Sequence, residues 1–165
     1  MKKFIYKTTL FIFASVVFVS LIFFSTHKMI KKKSNFTLKT PVKNVVFGHS
    51  HPTYAFNDSL IVDFKNLAQS AQSNFYSFIK VRNVLSQNDS IKTVFIEFTN
   101  NQISKIMDKW TWSNATIADR LPTYLPLMNK DEIQLLYTNN PKAFVAGSSK
   151  SFRENIINIL SRKFD

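Results

Sequence analysis

The stretch NVVFGHSH, residues 44–51, decides how the rest of the chain is organised. An apolar run rich in β-branched residues stops at Gly48, and a serine flanked by two of the chain's three histidines follows at once. This pattern predicts a strand whose end displays polar side chains. In α/β proteins, ligands bind just beyond the carboxyl ends of such strands. Ser50, between His49 and His51, is therefore the first candidate for a functional side chain.

The composition of the 165-residue chain excludes several classes of function. Its formal charge of +12 includes seven of the 22 basic residues in the first 33 positions, whereas all ten acidic residues come later. The remaining 15 basic residues face ten acids without an arginine-rich stripe, so we expect no nucleic-acid partner. The chain has no cysteine, which excludes disulfides, thiolate catalysis and zinc–thiolate sites. We also expect no cofactor.

The N-terminal segment predicts a membrane helix. Residues 8–26 are uncharged and dominated by Phe, Val, Ile and Leu, and about 20 such residues span a bilayer. We favour an uncleaved signal anchor in residues 1–33 over a cleavable signal peptide, because no convincing small-residue cleavage site follows. Both flanks are basic, so charge alone does not orient the helix. We expect a single-pass cell-membrane protein whose body, residues 34–165, lies outside the cytoplasm.

The body alternates strand and helix patterns after a polar linker at residues 34–43. The predicted strands are residues 43–47, 61–67 and 91–98, with a helix at residues 70–87 between the second and third. Near-continuous apolar strands separated by a helix indicate a parallel sheet with helices on both faces. The expected fold class is thus α/β, a three-layer flavodoxin-like arrangement. Crossover handedness then places the polar ends of all three strands in one crevice.

The remaining sequence predicts mostly helix. Residues 102–128 show no clean period and are expected to form short helices and loops. Asn129 with Glu132 forms a capping-box pattern that starts a helix ending before Pro141. Residues 148–163 predict one amphipathic helix.

The three strand ends together resemble the SGNH (GDSL-like) hydrolase and acyltransferase superfamily, in particular its bacterial membrane-anchored branch. Gly48-His49-Ser50 matches the family's Gly-Asp-Ser turn, with histidine in place of the aspartate. Residues 66–71, NLAQSA, match an Asn-Leu-Gly-x-x-Gly block with both glycines replaced by alanine. Residues 98–101, FTNN, match the third block only at Asn100.

The resemblance implies a role for each matching residue. Ser50 would be the nucleophile, and the Asn100 side chain and the Ala71 backbone N–H would bind the oxyanion. The family's Asp-x-x-His pair is absent, and we expect His49 and His51 to point away from their neighbour Ser50. The resemblance therefore predicts only the N-terminal portion of such a domain, or a degenerate copy. It further implies a cell-envelope esterase or O-acyltransferase acting on a surface polysaccharide or another acylated substrate.

Several residues have simpler interpretations. Asn66 is expected to hydrogen-bond across the strand ends, and Glu97, inside the third strand, is expected to pair with Lys92 or Lys105. Trp110 and Trp112 are expected to pack rather than to stack on sugars. We expect no metal site, because the two histidines lack a third ligand with recognisable spacing. The alternative function is a non-catalytic single-pass membrane protein whose flavodoxin-like body binds a glycan or a protein partner.

Overall fold

The computed structural model of the protein describes residues 1–161 and contains a small parallel sheet. Its strands are β1 (Asn44–Phe47), β2 (Phe64–Asn66) and β3 (Thr93–Ile96), in the order β2-β1-β3. The α/β class predicted from the sequence is confirmed. The strands are shorter than predicted. For β2, the late start has a structural cause: Asp63 adopts a left-handed φ of 55°, which interrupts the extended backbone before Phe64.

Helices make up most of the rest of the chain. They are α1 (Lys2–Lys33), α2 (Ser50–Ala55), α3 (Asn74–Leu85), α4 (Ile106–Trp112), α5 (Asn114–Tyr124), α6 (Lys130–Asn139) and α7 (Pro141–Ser161), with short 3₁₀ turns at Asn100–Ile103 and Leu125–Leu127. The capping box at the start of α6 is confirmed. The last helix starts seven positions earlier than predicted because Pro141 occupies its first turn, where a missing N–H costs nothing. Residues 162–163 of that prediction lie outside the described residues.

The two faces of the sheet are covered unequally. Val45 and Phe47 are buried on the face against α3, which contributes Val84. On the opposite face, cover comes from the short α2 and the residue after it, and Phe95 remains 50% exposed. Helices therefore lie on both sides of the sheet. In the described residues, however, one face is only partly covered, so the expected three-layer flavodoxin-like arrangement is not complete.

A second core is formed mainly by helices. The buried side chains of α3, α5, α6 and α7 meet there, including Tyr76, Ile79, Ile117, Leu121 and Leu136. The N-terminal helix α1 adds Phe23, whose ring lies 5.7 Å from that of Phe152. α1 is long and apolar enough to cross a membrane.

Candidate functional site

The topology creates a crevice at the carboxyl ends of β1 and β3. β1 lies between the other two strands, and the chain reaches β2 through α2 on one face but β3 through α3 on the other. Such a reversal leaves an opening beside the central strand, where α/β proteins bind ligands. Beyond the strands, the Glu97 N–H donates to the Phe47 carbonyl at 3.0 Å and fixes the two ends relative to each other.

Glu97 is the buried anchor of this crevice. Its side chain is 7% exposed, and Oε2 accepts the His49 backbone N–H at 2.8 Å. Oε1 lies 3.1 Å from His49 Nε2 and 2.8 Å from His51 Nδ1. The sequence-based expectation of a lysine partner, Lys92 or Lys105, is wrong: two imidazoles and a backbone amide surround this carboxylate.

The backbone fixes the tautomer of His49. Its Nδ1 accepts the Ser50 backbone N–H at 2.8 Å, so that nitrogen carries the lone pair. The proton of the neutral ring is then on Nε2 and is donated to Glu97. The ring is 4% exposed, and Trp110 packs edge-on against it at 6.1 Å. His49 is thus held at both nitrogens.

This orientation places His49 Nδ1 3.2 Å from Ser50 Oγ. The expectation that these neighbouring side chains diverge is therefore wrong for His49. Its φ of −99° and ψ of −131° lie outside the regular regions and accompany a ring folded back over the first turn of α2. The single lone pair of Nδ1 thus faces both the Ser50 N–H and the Ser50 hydroxyl. Serine, imidazole and carboxylate form one connected chain, the kind of arrangement that can activate a hydroxyl.

The groups predicted to bind the oxyanion are not held against Ser50 in the way that His49 is. The Ser50 N–H already donates to His49. Ala71 has a left-handed φ of 57°, the conformation that glycine adopts most easily, and its carbonyl accepts from Arg120 at 3.4 Å. Asn100 is exposed at the start of a 3₁₀ turn. Within residues 1–161, no hydrogen bond joins Asn100 or Ala71 to Ser50, and their roles stay predictions.

Asn66 holds the helix that carries Ser50 in place. Its amide donates to the carbonyls of Pro52 at 2.7 Å and Phe56 at 2.8 Å, and its oxygen accepts from the Ala68 N–H. These bonds fasten α2, which carries Ser50, to the end of β2. These side-chain bonds join Asn66 to α2 and to the end of its own strand, and not to the neighbouring strand ends as expected.

Sequence reasoning missed two features of the crevice. The sequence predicts Glu97 inside the third strand, whereas β3 ends at Ile96, and only the fold shows that the Glu97 side chain faces His49. Beside it lies an open cavity of about 330 Å³, lined mainly by apolar side chains, with His51 and Glu97 at one side. Thr99 also lines it, and its Oγ1 is buried without a hydrogen-bond partner in the described part of the chain.

The same residues form a group that could hold a metal ion. Ligand atoms of His49, His51 and Glu97 lie within 4.8 Å of one another, so Glu97 supplies the third ligand that the sequence seemed to lack. A metal on His49 Nε2 would require the proton on Nδ1, opposite the Ser50 N–H at 2.8 Å. Two donors would then face each other. The geometry consequently favours the hydrogen-bonded chain over metal coordination.

Comparison of the chain with protein-family models, with curated proteins and with solved structures finds no match. The functional assignment therefore depends on the geometry of this crevice and on the motif resemblance of its strand ends.

Proposed function

We propose that this protein is a membrane-anchored serine esterase or O-acyltransferase of the SGNH-like type, acting on acylated cell-surface glycans. The observation that carries the proposal is the chain of contacts from Ser50 Oγ through His49 to the buried carboxylate of Glu97. It supplies the base that the sequence motifs alone lack. The imidazole is used with its nitrogens reversed relative to the usual triad, Nδ1 facing the hydroxyl.

In the first step, Ser50 Oγ attacks the carbonyl carbon of the acyl ester while His49 Nδ1 takes the hydroxyl proton. Glu97 stabilises the resulting imidazolium through Nε2–H. When the tetrahedral intermediate collapses, the C–O bond to the glycan breaks and the leaving oxygen receives the proton from Nδ1. The products are an acyl-Ser50 enzyme and a free glycan hydroxyl.

Water or a second glycan hydroxyl completes the reaction. It loses its proton to His49 Nδ1 as it attacks the acyl carbon, and Ser50 leaves with that proton. Attack by water makes the protein an esterase, whereas attack by a sugar hydroxyl makes it an O-acyltransferase.

The oxyanion would be stabilised in two ways. Once Nδ1 is protonated, two donors face each other at this contact, so the imidazolium has to shift away from the Ser50 N–H. That N–H is then free to donate to the substrate oxygen as negative charge develops on it. The Asn100 amide and the Ala71 N–H are the proposed additional donors. The apolar cavity beside His51 is lined mainly by hydrocarbon side chains but not by Ser50, so it could bind a remote part of the substrate and not the reacting acyl carbon.

Hydrolysis of p-nitrophenyl acetate tests the proposal directly. The full-length protein in detergent should hydrolyse the ester, and Ser50→Ala should reduce the rate to that of buffer. Ser86→Ala is the matched control, because Ser86 is exposed and its hydroxyl bonds only the Asn83 carbonyl of its own helix. A folded wild-type protein without esterase or transferase activity would contradict the proposal and favour the non-catalytic binding function.

A further inference from the structure

The carboxylate of Glu97 brings the imidazoles of His49 and His51 together. Its Oε1 atom lies 3.1 Å from His49 Nε2 and 2.8 Å from His51 Nδ1, and the centroids of the two rings are 5.0 Å apart. Two imidazoles and one carboxylate are a ligand set that holds Zn²⁺ in proteins, and neighbouring ligand atoms on a tetrahedral zinc ion are about 3.4 Å apart. The three side chains therefore need only small movements to coordinate such an ion.

The surroundings allow an ion to enter and the ligands to adjust. His49 and Glu97 are buried and already oriented by hydrogen bonds to the backbone around Ser50. His51 is 63% exposed, so its ring can shift towards an ion. The open cavity beside His51 and Glu97 provides a path from solvent and room for a water molecule as fourth ligand.

A metal ion on His49 Nε2 changes what Nδ1 can do. The ion takes the lone pair of Nε2, so the proton of the neutral ring moves from Nε2 to Nδ1. Nδ1–H then faces Ser50 Oγ, 3.2 Å away, as a donor and cannot accept the hydroxyl proton. The bound ion would remove the base from Ser50.

The cost of this change is the contact between Nδ1 and the Ser50 N–H. That contact, at 2.8 Å, favours the hydrogen-bonded chain when no metal is bound. The proposed reaction has to break the same contact, because the imidazolium also carries a proton on Nδ1. Metal binding therefore demands a movement of His49 that the catalytic cycle demands as well.

We propose that His49, His51 and Glu97 form an inhibitory zinc site, in which Zn²⁺ and the activation of Ser50 exclude each other. Binding of the ion is independent of the proposed function, whereas inhibition rests on it. Zn²⁺ suits this ligand set better than Mg²⁺ or Ca²⁺, which take oxygen ligands.

Metal titrations measure binding without reference to activity. The full-length protein in detergent, treated with EDTA and then freed of the chelator, is titrated with Co²⁺, whose tetrahedral complexes absorb visible light, and afterwards with Zn²⁺ as competitor. His51→Ala removes the exposed ligand and should weaken binding by at least about tenfold. His27→Ala removes the third histidine of the chain and, as the matched control, should bind like the wild type.

Fluorophosphonate labelling of Ser50 measures whether the bound ion disables the site. At a Zn²⁺ concentration about ten times the dissociation constant, the wild type should label about tenfold more slowly than in EDTA, because only the metal-free fraction reacts. At that concentration, labelling of His51→Ala should slow by about twofold or less relative to the same variant in EDTA.

The possible results separate the site from the proposed function. Failure of the wild type to bind Co²⁺ and Zn²⁺, or equal affinities in the wild type and His51→Ala, would overturn the zinc site. If both ions bind but Ser50 labels equally fast with and without Zn²⁺, the inhibitory role is wrong and the proposed function stands. If wild-type Ser50 is not labelled even in EDTA, the proposed function and the inhibition both fail, and the Co²⁺ titration alone decides whether the site exists.

Discussion

Gly48 is the residue that lets the carboxylate approach the main chain. With a φ of 157°, it lies in a backbone region that side chains rarely adopt. A Cβ at this position would be 2.5 Å from Glu97 Oε2 and 2.7 Å from Pro52 Cγ. The glycine of the strand-end motif is therefore required by Glu97, which needs this space to accept the His49 N–H.

Gly48→Ala should lower the free energy of unfolding by about 3 kcal/mol through backbone strain and overpacking, and should also abolish the proposed esterase activity. Urea denaturation monitored by circular dichroism measures the first effect. Gly147→Ala is the control for a glycine in ordinary helical backbone: its Cβ would lie 3.0 Å from the buried Leu121 side chain, and the gain in helix propensity partly offsets this overpacking, so the loss should be smaller than for Gly48→Ala. Equal losses for the two variants would contradict this role of Gly48.

At the scale of elements, one ion pair joins α3 to the start of α6. Arg82 contacts both carboxylate oxygens of Glu132, and its Nη2 donates to the Leu127 carbonyl at 2.7 Å. Glu132 is buried and also accepts the Asn129 N–H at 2.7 Å as part of the capping box. Removing the guanidinium would leave a buried carboxylate without its cation.

Arg82→Ala should therefore lower the free energy of unfolding by about 2–4 kcal/mol, somewhat less than a fully buried pair because the arginine is 34% exposed. Lys43→Ala is the matched control, since the Lys43–Asp63 pair is exposed to solvent and should contribute little. Thermal and urea unfolding would measure both. Similar small losses would show that Arg82 does not hold the two helices together.

The sequence predicted where most helices and strands occur better than it predicted which of their side chains are buried. The capping pattern located the start of α6 because the signal is local. In α3, Phe75, Phe78, Ile79 and Leu85 recur at spacings of three and four residues, which predicts a single apolar face, yet Phe78 and Leu85 are exposed. The helix lies between two cores, burying Tyr76 and Ile79 in one and Val84 in the other. Such sharing depends on contacts with distant segments, which no local period contains.

At the scale of the whole molecule, the site exists because the topology reverses direction at β1. His49 and Glu97 are 48 positions apart and meet only because β3 pairs beside β1. The sequence could place polar residues at the strand ends and so select Ser50 as a candidate. It could not show that Glu97 would turn towards His49, because that contact depends on the register of the two strands and on the space above Gly48.

The central claim is that Ser50, His49 and Glu97 work as one unit. Its most direct test is the rate at which a fluorophosphonate labels Ser50 in the wild type and in Glu97→Gln, with the labelled residue identified by peptide mass spectrometry. Loss of the orienting carboxylate should slow labelling by about 10²–10⁴-fold. His51→Ala, which removes only the exposed imidazole on the same carboxylate, should label nearly as fast as the wild type. Unchanged labelling in Glu97→Gln, or no labelling of wild-type Ser50, would contradict the account.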